Sequence, residues 1–212
     1  MTLRHSPLDA EHRALGATMV EFGGWEMPIV YPSGTIEEHL TCRSNAVMFD
    51  VSHLGTVRLE GAGAQERLQT TLTNDLTKIA PGRAQYTHLL DADDASVVDD
   101  IIVWWHERTD GAADVFDVMP NASNTTRVVG AVGGVDTTSD RAVIAVQGPN
   151  ARALVTPVFP EAADVGRFRV ASASWNGVGC TVAGTGYTGE AGVEIAVPLE
   201  AAAGLWQSLR TA

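Results

Sequence analysis

The sequence predicts an α+β fold. Short candidate strands and short candidate helices alternate irregularly along the 212 residues, with no linker rich in Pro or Ser between them. A doubly wound parallel fold would require longer and more regular crossover helices. The composition, 45% hydrophobic and 19% charged, is that of a folded chain long enough for one large domain or two small ones.

Two helices are predicted within the first 50 residues. Ser6 is a candidate N-cap, Pro7 suits the first helical position, and Gly16 directly after Leu15 ends this first helix. A second helix is predicted over residues 36–47. Its apolar side chains recur on one stripe, which consists of Ile36, Leu40 and Val47. We expect that stripe to be the packing face of the helix.

The remaining elements are predicted from alternating hydrophobicity and from turn residues. The predicted strands cover residues 56–60, 86–90, 97–105, 115–119, 141–147, 180–183 and 193–197. Further helices are predicted over 64–72 and 151–155. A last helix opens at Pro198, and its apolar face consists of Leu199, Ala202, Trp206 and Leu209.

Charge and composition exclude several classes of function. The net charge is −12, from 14 Lys and Arg against 26 Asp and Glu, so nucleic acid and anionic lipid are excluded as main partners. No apolar run approaches the ~20 residues of a membrane helix, and the N-terminus lacks a signal-peptide core, which predicts a cytoplasmic protein. Cys42 and Cys180 are too distant in sequence to predict a disulfide framework or a Cys-based zinc site.

Two adjacent carboxylates, Asp99 and Asp100, lie inside the apolar β-run 97–105. Because side chains alternate between the faces of a strand, at least one carboxylate is expected to face an apolar surface. A carboxylate without a partner there has a raised pKa, which suits proton transfer or binding of an N–H-bearing ligand. The alternative is structural: Asp99 would bond turn amides and Asp100 would pair with an arginine. The residues alone leave both interpretations open.

Residues 184–189 match the pattern G-x-G-x-x-G. A dinucleotide site would need a helix after this segment, but residues 190–197 have a β-pattern. A hairpin with an aromatic and acidic tip fits better, and Glu194 in its second strand is another carboxylate in apolar company. A tight Gly-rich hairpin without a ligand is the alternative.

The other polar and aromatic candidates are less specific. None of the six histidines pairs at i,i+2 or i,i+4, so no metal site is predicted. His53 is expected to be a core histidine satisfied by the backbone. Asn121 and Asn124 could read the polar edge of a heterocycle or cap the next helix. Three tryptophans could stack on a flat ligand or belong to the core: Trp25, Trp104 and Trp105.

Several motifs occur in a recognisable order. They are Phe22-Gly23-Gly24-Trp25-Glu26-Met27-Pro28, Phe49-Asp50-Val51-Ser52-His53-Leu54-Gly55, Thr73-Asn74-Asp75, Asp99-Asp100-Ile101-Ile102-Val103, Asn121-Ala122-Ser123-Asn124, Gln147-Gly148-Pro149 and Thr185-Gly186-Tyr187-Thr188-Gly189-Glu190. Over nearly its whole length the chain resembles the N-terminal part of the aminomethyltransferases, the T-proteins of glycine cleavage systems. Three positions depart from the family pattern: Leu54 replaces a usual Met, Trp104 a usual Tyr, and Gly184 a common Arg.

The resemblance implies a tetrahydrofolate-dependent transferase. Members take the aminomethyl group from the lipoyl arm of the H-protein, release ammonia and form 5,10-methylenetetrahydrofolate. Asp100 matches the catalytic residue, which holds the pterin and manages the proton of the attacking nitrogen, and Glu194 with Tyr187 matches the pterin contacts. Positions that line the folate cavity match Tyr86, Leu54, Asn121, Asn124 and Trp104. A related folate-dependent demethylase and a non-catalytic folate-binding module are the alternatives.

The resemblance also implies a domain organisation. Two interleaved α/β-sheet subdomains are expected, one from residues 1–55 with 138–192 and the other from 56–137 with 193–212. Family members continue into a C-terminal β domain that supplies folate-gripping arginines, and this chain ends before it. We therefore expect the chain to be a truncated folate-binding domain.

Overall fold

The computed structural model describes residues 2–108 and 112–212, which divide into two compact units. Unit 1 comprises Met1–His53, Asp140–Arg167 and Ala173–Ala212, and unit 2 comprises Leu54–Ser139 and Phe168–Ser172. Each unit is built from segments that are distant in sequence, and each combines sheets with helices. The predicted α+β class is confirmed.

Within the described residues the chain forms thirteen strands and seven α-helices. The strands are β1 (Arg4–His5), β2 (Thr18–Phe22), β3 (Trp25–Val30), β4 (Val47–Asp50), β5 (Val57–Glu60), β6 (Arg83–Leu90), β7 (Val97–Trp105), β8 (Val115–Met119), β9 (Val135–Asp136), β10 (Arg141–Gln147), β11 (Val170–Trp175), β12 (Val178–Ala183) and β13 (Gly192–Pro198). The helices are α1 (Asp9–Ala14), α2 (Thr35–Ser44), α3 (Ala64–Thr71), α4 (Thr125–Val132), α5 (Ala151–Val155), α6 (Pro160–Ala163) and α7 (Leu199–Arg210). No helix among these residues is long and apolar enough to span a membrane.

Unit 1 contains a three-stranded sheet and a five-stranded sheet. In the small sheet, with the order β1-β3-β2, β1 is parallel to β3 and β2 is antiparallel to it. The larger sheet has the order β11-β12-β13-β10-β4, and β10 pairs antiparallel with both β13 and β4. Residues 142–147 of β10 are all buried, because this apolar strand is central and α5 and α7 pack against it.

Unit 2 is built on a five-stranded antiparallel sheet with the order β6-β7-β8-β5-β9. One side of this sheet forms a hydrophobic core with α3 and α4, to which β7 contributes Ile101, Val103 and Trp105. Because side chains alternate along a strand, the intervening residues of β7 lie on the other side. We call that side of β6 and β7 the second face, and its residues are Ala84, Tyr86, His88, Asp100, Ile102 and Trp104.

The structure corrects the expected place of residues 193–212. They belong to unit 1 and not with residues 56–137. The reason is that β13 pairs with β10 and β12, while α7 packs against β10 and β13. Strand pairing between distant segments, and not proximity in sequence, determines the unit to which a segment belongs.

The start of the first helix also differs from the prediction. α1 begins at Asp9, and the side chain of Ser6 makes no bond to the helix itself. Instead the Ser6 Oγ accepts a hydrogen bond from the backbone N–H of Leu8 at 3.0 Å, which stabilises the turn before the helix. Gly16 follows the helix with φ +73°, as expected for a residue that ends one.

The predicted apolar stripe of the second helix is wrong. α2 ends at Ser44, so residue 47 lies outside it and begins β4. Ile36 and Leu40 are 77% and 55% exposed, and the buried residue of the helix is Cys42. The helix therefore packs through a different face from the one that its most apolar residues define.

Candidate functional site

The Asp99–Asp100 pair lies in β7, and its two carboxylates have opposite environments. Asp99 is buried at 3% exposure, and its Oδ1 accepts hydrogen bonds from Asn121 Nδ2 at 2.8 Å and Asn124 Nδ2 at 2.9 Å. Its Oδ2 accepts a third bond from the backbone N–H of Asn121 at 3.0 Å. Asp99 is therefore not a buried carboxylate without a partner, because residues after β8 supply its hydrogen-bond donors.

Asp100 lies on the second face and is exposed. Its Oδ1 accepts a hydrogen bond from Asn121 Nδ2 at 3.0 Å, and its Oδ2 accepts one from the Tyr86 hydroxyl at 3.3 Å. Among the described residues it makes no ion pair with an arginine, so that part of the structural alternative is wrong. A reachable carboxylate with both oxygens oriented is suited to hold or exchange a proton.

Asn121 and Asn124 serve the carboxylates and not a helix. Asn121 bridges Asp99 and Asp100, and Asn124 Nδ2 also donates to the Val98 carbonyl at 3.1 Å. Asn124 precedes α4 but makes no side-chain capping bond, so the predicted alternative of a cap is wrong. The two amides fix the geometry of the beginning of β7.

Tyr86 and His88 accompany Asp100 on the second face. Tyr86 is 47% exposed, and its hydroxyl oxygen lies 3.3 Å from Asp100 Oδ2 and 3.3 Å from His88 Nε2. Partial desolvation, and after it the charge and hydrogen bond of Asp100, raise the pKa of Tyr86. His88 was not among the predicted site residues, although its i,i+2 spacing from Tyr86 on a predicted strand was a usable signal.

Trp104 and Leu54 are less accessible than Tyr86. Trp104 is 1% exposed, and its Nε1 has no hydrogen-bond partner within the described part of the chain. Its ring is therefore not open to solvent on the second face. Leu54 is partly buried. Their matches to folate-lining positions stay predictions.

In unit 1, the other candidate carboxyl is that of Glu194 in β13, opposite Ala145 of β10 and Ala183 of β12. Glu194 is 5% exposed, and its Oε2 accepts a hydrogen bond from the Thr185 hydroxyl. Burial raises the pKa of Glu194, and the Thr185 bond lowers it only partly. No ion pair reaches Glu194 in residues 2–108 and 112–212. It is a deeply buried carboxyl without a cation.

The Gly-rich segment 184–189 connects β12 and β13, as the hairpin prediction requires, and no helix follows it. Close packing explains Gly186, where φ is +156°, because a Cβ there would lie 2.0 Å from Gln147 Oε1. Gln147 is fully buried and donates through Nε2 to the Thr185 carbonyl at 3.1 Å. At the tip, Tyr187 is 62% exposed and packs edge-on against Phe49, with ring centroids 5.6 Å apart.

One histidine prediction needs correction, and the structure also brings another histidine close to two carboxylates. His53 is not fully satisfied by the backbone, because its Nδ1 is buried without a hydrogen-bond partner in the described residues. Burial lowers the pKa of His53. Spacing alone also missed one cluster in which the ligand atoms of His5, Asp9 and Glu26 lie within 4.8 Å of one another. Arg13 already donates to both of its carboxylates, at 2.9 and 2.6 Å.

The fold and the site define an α+β chain in which Glu194, buried without a cation among the described residues, and Asp100, an exposed and oriented carboxylate, lie on separate sheets. Residues 8–212 match the family described as the GCVT N-terminal domain. The chain belongs to this family, and the resemblance to aminomethyltransferases is confirmed.

Known relatives are similar over almost the whole chain. It is 42% identical to an aminomethyltransferase of Mycobacterium tuberculosis (strain ATCC 25618 / H37Rv), covering 99% of this chain and 57% of the relative. It is 43% identical to an aminomethyltransferase of Chlorobaculum parvum (strain DSM 263 / NCIMB 8327), covering 99% and 59%. The crystal structure of glycine cleavage system aminomethyltransferase T from Bartonella henselae is similar with a TM-score of 0.83 and 29% identity, over 98% of this chain and 57% of that one. The chain thus spans somewhat more than half the length of these relatives.

Proposed function

We propose that this chain is the tetrahydrofolate-binding part of a glycine cleavage aminomethyltransferase. The reaction moves the one-carbon unit of the aminomethyl group from the lipoyl arm of the H-protein to tetrahydrofolate and releases ammonia. The observation that carries the proposal is the arrangement near the beginning of β7. There Asp99 is buried and saturated by amides, while its neighbour Asp100 is exposed and oriented by Asn121 and Tyr86.

The difference between the two aspartates supports Asp100 as the catalytic residue. Asp99 accepts three hydrogen bonds at 3% exposure, so it cannot exchange a proton without breaking them. Asp100 is held by only two partners and faces outward, within reach of a substrate nitrogen. A general acid or base must be positioned within hydrogen-bond distance of the proton that it moves. The Asn121 bridge supplies that positioning.

The proton balance of the transfer defines the task of Asp100. Tetrahydrofolate supplies the two nitrogen atoms that take up the one-carbon unit, and both lose their protons overall. The C–N and C–S bonds of the aminomethyl group break, so one proton is taken up by the amine, which leaves as ammonia, and the other by the lipoyl sulfur, which is released as a thiol. Asp100 accepts a proton from a nitrogen as the new C–N bond forms and returns it to the leaving group.

For unit 1 we propose that Glu194 binds the pterin. The 2-amino and ring N–H groups of a pterin are donors that match the two oxygens of a carboxyl. Two observations support this fit: Glu194 is buried, and among the described residues its carboxyl has a hydroxyl partner but no cation. The free-energy cost of burying this carboxyl is therefore left to be offset by a ligand. Tyr187 is proposed to pack beside the pterin, while Leu54, Asn124 and Trp104 stay proposed lining residues.

The test is Asp100→Asn in the 212-residue chain, assayed with aminomethyl-loaded, lipoylated H-protein and tetrahydrofolate. We expect kcat to fall by about 10²–10⁴-fold, because an amide cannot accept the proton, while the KM for folate changes little. Asp93→Asn, at an exposed turn position, is the matched control and should keep the wild-type rate. Undiminished turnover by Asp100→Asn, or no transfer by the wild-type chain, contradicts the proposal.

A further inference from the structure

His88 lies beside the proposed catalytic carboxylate in the sheet of unit 2. In the β6–β7 pair it lies directly opposite Asp100, and its ring packs edge-on to that of Tyr86, with centroids 5.0 Å apart. Its Nε2 is 3.3 Å from the Tyr86 oxygen, which is also 3.3 Å from Asp100 Oδ2. The Tyr86 hydroxyl therefore lies between an imidazole and a carboxylate.

Only one of these two contacts can use the hydroxyl hydrogen. Tyr86 has a single O–H donor, and a carboxylate, which has no hydrogen of its own, can only accept. If Tyr86 donates to Asp100, then the contact with His88 is a hydrogen bond only when His88 donates its Nε2–H to the Tyr86 oxygen. The imidazole must then be the Nε2–H tautomer, with the hydrogens ordered from His88 through Tyr86 to Asp100.

We propose that His88 is a positioning residue that, by donating Nε2–H to the Tyr86 oxygen, directs the Tyr86 hydroxyl hydrogen to Asp100. The backbone supports this placement: the N–H of His88 donates to Thr73 Oγ1 at 3.1 Å, and Asn74 Nδ2 donates to the Tyr86 carbonyl at 2.8 Å. Both bonds hold the segment of β6 that carries the Tyr86 and His88 rings.

The same array can adapt when Asp100 gains a proton during turnover. Asp100 then has a hydrogen of its own and donates it to the Tyr86 oxygen, so that Tyr86 turns its hydrogen toward His88. His88 accepts it through Nε2 in the other tautomer, with the ring hydrogen on Nδ1. In this reversal His88 loses its Nε2 hydrogen to solvent water and takes one up from water at Nδ1, so the net charge of the ring is unchanged. The role in turnover rests on the proposed function, whereas the tautomer and the direction of the hydrogen bonds do not.

The first experiment reads the tautomer directly. Long-range ¹H–¹⁵N spectra of the ¹⁵N-labelled chain at pH 8, with His88 assigned by loss of its signal in His88→Gln, should show the Nε2–H form. A wild-type His88 in the Nδ1–H form would overturn the proposal, because that ring accepts from Tyr86 and competes with Asp100 for its hydrogen.

The second experiment uses the sign of a pKa change. The tyrosinate absorbance of Tyr86, identified by difference from Tyr86→Phe, is titrated in wild type, His88→Leu and His88→Gln. Loss of a donor to the Tyr86 oxygen should raise its pKa by about 0.5–1 unit in His88→Leu, whereas the amide N–H of His88→Gln should keep it near the wild-type value. A lowered or unchanged pKa in His88→Leu means that His88 accepts or makes no bond, and either result overturns the proposal.

A third readout separates the two proposals. His88→Leu should reduce kcat about 3–10-fold with little change in the KM for folate, and His88→Gln should retain most of the wild-type kcat. His39→Leu, at an exposed position on α2, is the matched control for adding a leucine at the surface. If no variant shows transferase activity but the tautomer and the pKa behave as expected, the proposed function fails and the positioning role of His88 stands.

Discussion

Two buried carboxyls, Glu194 in unit 1 and Asp117 in unit 2, show how the molecule treats similar groups differently. They are 5% and 4% exposed, and each lies within a strand. Asp117 accepts two bonds of 2.8 Å from Arg58 and one of 2.7 Å from His106 Nε2. Glu194 has the Thr185 hydroxyl and no cation in the described residues.

The pKa values of the two carboxyls respond in opposite directions. Burial alone would raise the pKa of Asp117, but the hydrogen bonds and charges of His106 and Arg58 lower it to about 2. Burial raises the pKa of Glu194. The fold itself offsets the cost of burying Asp117, which marks a structural ion pair, whereas Glu194 carries a cost that the fold leaves largely uncompensated. Buried carboxyls whose burial the fold leaves uncompensated, as for Glu194, concentrate at functional sites.

The largest effect on stability is expected from Asp117→Asn. Neutralising this carboxylate removes the charge from three hydrogen bonds and leaves a half-buried Arg58 beside an amide. The free energy of unfolding at pH 7, measured with urea, should fall by roughly 2–4 kcal/mol. Asp93→Asn at an exposed turn should change it by less than about 0.5 kcal/mol. A loss no larger than that of this control would break the distinction drawn between the two carboxyls.

The pH dependence should follow from the same group. Since the pKa of Asp117 is lowered on folding, its stabilisation is complete above its unfolded value of 3.8 and is lost as the pH falls toward about 2. The stability difference between wild type and Asp117→Asn should therefore shrink by about 2 kcal/mol between pH 5 and pH 2. Comparing the two proteins cancels the titration of the other carboxylates. If the stability difference between the two proteins did not depend on pH, the destabilisation would come from the packing of the amide and not from the loss of charge.

A smaller effect of opposite sign is expected from Glu194→Gln. The raised pKa means that the folded state binds this proton more tightly than the unfolded state, so stability is present below the unfolded pKa of 4.5 and is lost as the pH rises from there through the higher folded pKa. The free energy of unfolding of the variant should equal that of wild type near pH 4 and exceed it at pH 8 by roughly 1 kcal/mol. Glu200→Gln, at an exposed position, is the control and should show no such pH dependence.

Local patterns in the sequence were sufficient for part of this picture. The run of mostly β-branched and aromatic residues over 97–105 predicts β7 with the bounds observed, because such residues favour strands. The two-residue period of a strand places Asp99 and Asp100 on opposite sides of the sheet but does not say which side α3 and α4 cover. That decision depends on packing between distant segments, so Asp99, and not Asp100, turned out to be the buried carboxylate.

Other features could not be read from local patterns, because long-range pairing creates them. Arg58 and Asp117 are 59 residues apart and meet only because β5 pairs with β8. The assignment of residues 193–212 failed for the same reason, since β13 joins β10. Asp100 and Glu194 were candidates already because each is a carboxylate in an apolar strand pattern, whereas the proposed role of His88 emerged from the register of β6 and β7.

The most direct test of the claim that Glu194 is kept for a ligand combines two measurements on Glu194→Gln. Tetrahydrofolate is titrated anaerobically into the wild-type chain and the variant by calorimetry, and the unfolding free energy of both is measured at pH 8. We expect the variant to unfold no more easily than wild type but to bind tetrahydrofolate at least about 10-fold more weakly, since one charged hydrogen-bonding partner of the pterin is lost. A variant that binds as tightly as wild type, or that is destabilised as Asp117→Asn is, would contradict the claim.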